Sequence, residues 1–398
     1  MRRLQAEQRE ASREEQQLLA RWSGWGAVPE IFDEQRSEWA REREQLRQLL
    51  DERAYAAARR TTINAHYTDP AYVQAIWRAV QDLGFQDGLV LEPGAGAGTF
   101  IGLAPPGAQM TGVELDPSTA AIAQALYPDA TIRAESFAQS PYRAGHFDAV
   151  VGNVPFADVR LHDSHHNRGG HSLHNHCIVK SLALTRPGGI VALLSSRYTL
   201  DAQNPAARRE MNALSDLIGA VRLPSGAHQR AAGTKVITDL LLLRRREPDT
   251  PPASTAWEQA PTIELDGARA RLNGYYHEHP EHVLGRLRIA TGQYATPALD
   301  VQPDGRALPS TLAETLSQIT TQARATGHAI SARAGAIAAT PAALEPPTGT
   351  LHLTKTTLTI NLRLRTHHPV LIDAGLADQT TPIPWLDGRK LNFRFPPR

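Results

Sequence analysis

Seven short apolar runs alternate with helical patterns between residues 88 and 246. Strands that alternate with helices are typical of parallel sheets covered by helices on both faces, so the pattern predicts a doubly wound, Rossmann-like α/β domain. In such a domain the ligand lies at the carboxyl ends of the strands. The predicted strands cover 88–92, 109–114, 131–134, 147–152, 189–195, 217–222 and 236–244, and the predicted helices cover 98–104, 117–126, 172–185 and 204–214.

The segments on either side of this alternation have different patterns. Residues 1–60 are mostly polar and predict helices, interrupted by a turn that carries Trp22 and Trp25. These tryptophans either anchor a helical hairpin onto the next domain or stack on nucleic acid. We expect a helical extension at 1–60, an α/β domain at 61–246 that starts with a helix capped by Thr68, a Pro-rich linker at 247–260, and a small α+β C-terminal region of unknown role at 261–398.

Composition and charge indicate the compartment in which the protein works and the surfaces that could contact phosphate. Cys177 is the single cysteine, which excludes an internal disulfide framework and suggests a reducing compartment. No apolar run approaches the ~20 residues that span a bilayer, and the charged N-terminus is unlike a secretory signal, so we expect a cytoplasmic protein without membrane contact. Net charge is +1, yet residues 186–246 hold ten Arg or Lys against four Asp or Glu. This local excess suits either phosphate contact or a solvated rim, and the candidates for phosphate contact are Arg197, Arg208, Arg209, Arg222 and Arg230.

A glycine turn follows the first predicted strand. Glu92 and Pro93 lead into Gly94, Gly96 and Gly98. Glycine adopts positive φ without strain and lets a ligand approach the backbone closely. Free N–H groups at the start of the next helix would face that ligand. Because nicotinamide, flavin and S-adenosylmethionine folds share such a turn, the glycines alone predict only a nucleotide-like cofactor.

Two acids favour S-adenosylmethionine over a dinucleotide. Glu114 ends the second predicted strand, at the spacing from the turn where a carboxylate accepts hydrogen bonds from a ribose diol. Glu92, just before the glycines, would repel a pyrophosphate and attract a sulfonium cation with its amino group. Turn-stabilising or surface roles for these acids stay open. Phe137, after the third strand, would either stack on the cofactor adenine or pack in the core.

The tetrapeptide from Asn153 to Phe156 follows the fourth predicted strand. Methylation of an aromatic amine requires hydrogen-bond acceptors that aim its nitrogen, and the Asn153 side-chain oxygen and the Val154 carbonyl would supply them. Pro155 fixes φ and removes a competing donor, while Phe156 offers a face on which an extruded base stacks. These four residues are the predicted catalytic group.

Together these motifs resemble the amino-group DNA methyltransferases, of the gamma-type adenine-N6 class. Tyr67 and Thr68 precede the cofactor turn, and the tetrapeptide follows it without a large insert. The resemblance is most specific to the methyltransferase part of large methyltransferase–helicase proteins of phages, plasmids and conjugative elements. Val154 and Ser136 depart from the wider class, which has Pro and often Asp there. Residues that carry the narrower match include Trp25-Gly26, Asn64-Ala65-His66-Tyr67-Thr68, Gly152-Asn153-Val154-Pro155-Phe156, His174-Asn175 and Leu217-Ile218-Gly219-Ala220-Val221-Arg222-Leu223-Pro224.

The resemblance implies a function and partners. It implies transfer of a methyl group from S-adenosylmethionine to the N6 amine of adenine in DNA, as in restriction-modification or a mobile element. It also implies that Tyr67 and Thr68 close over the methionine end of the cofactor. A separate helicase subunit is a compatible partner, since no Gly-Lys-Ser/Thr turn occurs here. RNA bases, a protein glutamine, and a catalytically inactive module that binds DNA or a helicase stay open as alternatives.

A loop with six histidines lies between residues 161 and 176. Such density invites a zinc site, but the spacing fits no paired-ligand pattern, so we expect no metal. The loop would either close over the base or the phosphate backbone, or be an ordinary surface loop. His174 and Asn175 are the histidine-loop residues expected nearest the site, because they begin the following helix.

Overall fold

The computed structural model describes residues 1–62, 68–227, 236–291 and 297–331, and the backbone of four short strands beyond residue 350. The chain forms two compact units, Met1–Ala336 and Ile337–Arg398. In the second unit, Leu351–Leu353 pairs antiparallel with Leu358–Ile360, and Leu362–Arg363 with Pro369–Val370. In the described part of the chain, no helix is long and apolar enough to cross a membrane.

A seven-stranded sheet forms the centre of the first unit, with strand order β3-β2-β1-β4-β5-β7-β6. β7 runs antiparallel to both β5 and β6, whereas the other pairs are parallel. The expectation of a wholly parallel sheet is therefore wrong for this strand. All seven predicted strands are present, and the fold class is confirmed. The strands are β1 (Gly88–Pro93), β2 (Ala108–Glu114), β3 (Thr131–Ala134), β4 (Phe147–Asn153), β5 (Thr185–Ser196), β6 (Ser215–Arg222) and β7 (Thr238–Arg245).

Twelve α-helices occur in the described part of the first unit, with short 3₁₀ turns between some of them. They are α1 (Arg2–Glu7), α2 (Arg13–Leu19), α3 (Ala40–Leu49), α4 (Glu52–Thr61), α5 (Pro70–Asp82), α6 (Thr99–Gly102), α7 (Pro117–Leu126), α8 (Leu173–Leu184), α9 (Tyr198–Asp201), α10 (Ala206–Leu214), α11 (Gly274–Glu278) and α12 (Leu308–Ala325). Two hairpins, Thr262–Leu265 with Ala268–Arg271 and Arg286–Thr291 with Pro297–Gln302, complete the unit.

Two hydrophobic cores cover the two faces of the sheet. Successive strand residues point to opposite faces, so Val90 belongs to one core and Leu91 to the other. The first core packs the sheet against α5 and α12, and the second packs it against α8 and α10. The sheet is therefore covered on both sides, as the doubly wound pattern predicts. Trp257, within the stretch predicted as a linker, is buried in the second core.

The N-terminal helices have a small core of their own, which includes Trp25, Phe32 and Leu46. The Trp25 indole N–H donates to Asp116 Oδ2 at 3.1 Å, and the Trp22 indole N–H donates to Thr119 Oγ1 at 3.0 Å. Asp116 caps α7 by accepting from the Thr119 N–H. Both tryptophans thus anchor the helical extension to the segment that follows β2.

Candidate functional site

The glycine turn joins β1 to α6 at the carboxyl edge of the sheet. Gly94, Gly96 and Gly98 have φ values of +71°, +55° and +85°, so each is in the left-handed region that favours glycine. A Cβ added to Gly96 would meet no atom of the described residues within 4 Å, so these residues leave space above the turn. A Cβ added to Gly94 would lie 3.3 Å from Pro155 Cδ. The turn therefore lies directly against the tetrapeptide.

Glu92 is a buried acid beside this turn, with 3% of its surface exposed. Among the residues that the structure describes, its Oε2 has no hydrogen-bond partner. Burial and the nearby Glu114 carboxylate raise the pKa of Glu92 well above its usual value, and N–H groups of Phe100 and Ile101 oppose this shift only in part. A cation at this position would stabilise the ionised carboxylate, as the sequence predicts for the sulfonium and amino group.

Glu114 lies beneath the turn and is held by two backbone donors. Its Oε2 accepts from the Gly96 N–H at 2.9 Å, and its Oε1 accepts from the Asp116 N–H at 2.8 Å. Burial raises the pKa of Glu114, and the two N–H groups counteract that rise. Each carboxylate oxygen has a second lone pair, so the fixed group retains capacity to accept from a ribose diol. Trp25 donates to the side chain of Asp116, whose backbone N–H in turn holds Glu114. Because Trp25 and Asp116 are distant in the sequence, no local motif reveals this contact.

Asn153 ends β4, next to β1 in the sheet. Its amide nitrogen donates to Thr68 Oγ1 at 3.1 Å, and Thr68 is buried. Asp69 caps α5 by accepting from the Ala71 N–H at 2.9 Å, so the expectation that Thr68 is the cap is wrong. The Thr68 hydroxyl is thereby available to orient the Asn153 amide. Tyr67 lies outside the described residues.

The rest of the tetrapeptide is held by the sheet and the second core. The Val154 N–H donates to the Leu194 carbonyl at 3.1 Å, and the Val154 side chain is fully buried. Pro155 is half-buried, and Phe156 packs against the second core with part of its surface exposed. Phe137 is 8% exposed, and the Lys180 ammonium lies 5.2 Å from its ring centroid. Phe137 therefore packs in the core, and its contact with the cofactor stays a prediction.

The histidine loop is organised around Asp163, which the sequence did not single out. Its Oδ1 accepts from the backbone N–H groups of His165 and His166, and its Oδ2 lies 3.2 Å from both His176 Nε2 and Lys180 Nζ. Although burial opposes it, this set of donors holds the pKa of Asp163 far below its usual range. The loop is thus folded around a buried charge pair.

Two further histidines close the loop against the domain. His171 Nε2 lies 2.6 Å from Glu210 Oε2 on α10. His174 is buried at the start of α8, and burial lowers its pKa to about 4, so it is neutral at pH 7. Asn175, also buried, has an Oδ1 without a hydrogen-bond partner among the described residues. These contacts dock the segment against the domain, and closure of the loop over a base or the phosphate backbone stays a prediction.

The five arginines predicted to meet phosphate divide into different environments. Arg222 is fully buried and pairs with Asp239 through two hydrogen bonds of 2.8 Å. Arg208 is also buried, and donates to the carbonyls of Glu258, Thr199 and Ala202. Phosphate contact is wrong for both, because their guanidinium groups are enclosed and already paired. The remaining three are Arg197, half-buried over the Tyr198 ring, Arg209, exposed, and Arg230, outside the described residues.

The chain is similar to known proteins, and a family match covers the region that holds the site. A family model described as a methyltransferase domain matches residues 91–164, which include the turn, Glu114 and the tetrapeptide. A curated relative, "Defense against restriction protein B" of Escherichia phage P1, is 27% identical over 190 residues. That match covers 46% of this chain and 8% of the relative.

Solved structures resemble the chain at low identity. A type I restriction-modification methyltransferase subunit from Streptococcus thermophilus is 14% identical with a TM-score of 0.38, covering 58% of this chain and 58% of that one. TrmN from Thermus thermophilus is 20% identical with a TM-score of 0.30, covering 44% and 48%. The matched family and the fold together show a Rossmann-like methyltransferase domain, whose cofactor is S-adenosylmethionine.

Proposed function

We propose that the chain methylates the exocyclic N6 amine of adenine in DNA. The observation that carries the proposal is the contact between the glycine turn and the tetrapeptide, where Gly94 lies directly against Pro155. A methyl donor held on the turn and an amine held by Asn153 would therefore meet at one edge of the sheet. The carboxylates of Glu92 and Glu114 would hold the cofactor through its cationic end and its ribose.

The tetrapeptide would act by positioning the acceptor amine. The Asn153 side-chain N–H donates to Thr68 Oγ1. The Asn153 side-chain oxygen would then accept a hydrogen bond from one hydrogen of the substrate amine. The Val154 carbonyl would accept the second hydrogen, and the Phe156 ring would stack on the base. The bound cofactor supplies the methyl group. The acceptor nitrogen would take the methyl group from the cofactor, which leaves as a neutral thioether, and would carry a positive charge until it releases one proton to solvent water. The Asn153 oxygen would stabilise that charge.

DNA is the acceptor class best supported by the available observations. The motifs resemble adenine-N6 DNA methyltransferases, and the phage relative is named for defence against restriction. Arg209 is exposed and lies 3.6 Å from a Glu258 oxygen, and Arg197 is largely buried and lies 3.5 Å from an Asp201 oxygen. Both stay candidates for phosphate contact, and Arg230 remains a proposal from the sequence. A helicase subunit as partner and a role in restriction-modification also belong to this proposal.

The test is incubation of the full chain with labelled S-adenosylmethionine and DNA, RNA or protein acceptors, followed by nucleoside and peptide analysis. We expect label in N6-methyladenine from DNA. Asn153→Ala should abolish the label and leave cofactor affinity, measured by calorimetry, within about threefold. Asn204→Ala, an exposed residue elsewhere on the domain, is the matched control and should stay active. Label in RNA or in a protein glutamine would show that the acceptor is not DNA. Failure of the wild-type protein to bind cofactor would show that the chain is a catalytically inactive module.

A further inference from the structure

Three side chains with metal-ligand chemistry converge after α11, outside the proposed methyl-transfer site. His279 Nδ1 lies 3.3 Å from Glu281 Oε1, and His282 Nε2 lies 3.5 Å from the same oxygen. All three ligand atoms are within 4.8 Å of one another. The sequence predicts no metal here, because the two histidines sit on a turn whose geometry its pattern does not reveal.

We propose that His279, Glu281 and His282 bind a zinc-like divalent transition metal. Zinc bonds to imidazole nitrogen and carboxylate oxygen are about 2.0–2.2 Å long, so neighbouring ligand atoms in a tetrahedral site are roughly 3.3–3.5 Å apart. Both measured separations from Glu281 Oε1 match that edge. One carboxylate oxygen lies close to two imidazole nitrogens, an arrangement that a hydrogen bond and ion pairs maintain without a metal and that a shared cation can also occupy. Imidazole and carboxylate together suit zinc better than magnesium or calcium, which prefer oxygen ligands.

The surroundings hold the buried ligand in a productive orientation. His282 Nδ1 lies 2.8 Å from the Tyr275 hydroxyl, so Nε2 is the nitrogen directed to the metal. Tyr275 is buried and packs in the second core. The His279 and His282 rings are stacked, with centroids 5.0 Å apart and an angle of 11° between their planes. His279 and Glu281 are more exposed than His282, and the His279 ring has to rotate out of the stack for its in-plane lone pair to meet the same metal as that of His282.

The position of the cluster assigns the metal a structural role. The Leu284 N–H donates to the Arg222 carbonyl at 2.9 Å, and Val283 bridges Arg222 at the end of β6. Tyr276, on α11, covers the Arg222 guanidinium at 4.5 Å. A metal that joins His279 to His282 would therefore fix this turn against the carboxyl edge of the sheet. Three protein ligands leave the fourth position for water, so the metal would stabilise this turn from an open site and not from a closed four-ligand one.

The test compares zinc binding by the full chain and by single variants, after removal of metal with a chelator. Glu281→Gln keeps the size of the side chain and removes its charge, and His279→Ala removes a nitrogen ligand. His277→Ala, an exposed histidine on α11 outside the cluster, is the matched control. Calorimetry with Zn²⁺ counts sites, and Co²⁺ absorption reports tetrahedral coordination.

We expect the wild type and His277→Ala to bind one more equivalent of Zn²⁺ than Glu281→Gln or His279→Ala. Tyr275→Phe should weaken that site by about tenfold or more, because an outer hydrogen bond to a ligand is lost. Zn²⁺ should also raise Tm in the wild type and not in Glu281→Gln. Circular dichroism checks that each variant is folded. Equal stoichiometry, affinity and Tm shift in all folded variants would overturn the proposal.

Discussion

Thr68→Val is the substitution that most directly tests how the site is organised. Valine keeps the shape of threonine and removes the hydroxyl that accepts from the Asn153 amide at 3.1 Å. The sequence resemblance assigns Thr68 to the cofactor, whereas the geometry assigns it to the orientation of Asn153. The two roles differ in the kinetic constant that should change.

The structure provides the expected magnitude. Thr68 is 4% exposed, so Thr68→Val removes the hydrogen bond without opening a route for water to replace it. A buried donor left unsatisfied costs about 1–3 kcal/mol. At about 1.4 kcal/mol per factor of ten, kcat should fall roughly 5- to 150-fold as Asn153 loses its productive orientation. Thr68→Ser retains a hydroxyl and should stay within about threefold of the wild type.

The assay is DNA methylation at saturating cofactor, with cofactor affinity measured separately by calorimetry. We expect a lower kcat and an affinity within about threefold of the wild-type value. Asp69 still caps α5 in this variant, so the fold should be retained, but the unsatisfied Asn153 donor also costs folding free energy and Tm should fall by a few degrees. Unchanged kcat would refute the orienting role of Thr68. Weaker cofactor binding with unchanged kcat at saturation would instead support the role that the resemblance implies.

Three further substitutions probe the buried charges and their supports. Glu92→Gln should weaken cofactor binding in calorimetry yet raise Tm at pH 8 and not at pH 4, because burial raises the Glu92 pKa and stability is lost as pH rises through it. Trp25→Phe removes a hydrogen bond to the Asp116 carboxylate, worth about 1.5–3 kcal/mol, and should lower both Tm and cofactor affinity. Asp163→Asn leaves Lys180 buried without its counter-charge and should cost about 3–5 kcal/mol in urea denaturation at pH 7. The wild type should also lose stability as pH falls from the usual pKa of an aspartate through the depressed pKa of Asp163.

Local patterns in the sequence were sufficient to predict the strands that carry the candidate site and the two motifs at their ends. Apolar runs placed all seven strands, and the glycine turn and the tetrapeptide proved to be neighbours at one edge of the sheet. The direction of a strand could not be predicted in the same way, because an apolar run has the same pattern in a parallel and in an antiparallel strand. β7 runs antiparallel to β6, and the apolar pattern carries no record of that direction.

Partners distant in sequence explain where prediction failed. Arg222 belongs to a stretch with an excess of basic residues, and that excess is the basis for predicting that Arg222 contacts phosphate. The fold instead brings Asp239 and Asp201 against it, both at 2.8 Å. Thr68 and Asn153 are likewise 85 residues apart and meet only because α5 begins beside the end of β4. Such pairs follow from topology, which a single sequence does not encode locally.

In this domain, buried charged side chains that have a counter-charge within the chain are distinguished from Glu92, for which the described residues supply none. Asp163 has Lys180, and Arg222 has Asp239, so each of these charges is neutralised within the chain. Glu92 is buried as deeply, yet its carboxylate has an oxygen without a partner among the described residues and a second acid, Glu114, as its neighbour. An unpaired buried carboxylate destabilises a fold unless a ligand compensates for it. A cationic cofactor on the adjoining glycine turn would provide the counter-charge that the described residues do not supply to Glu92.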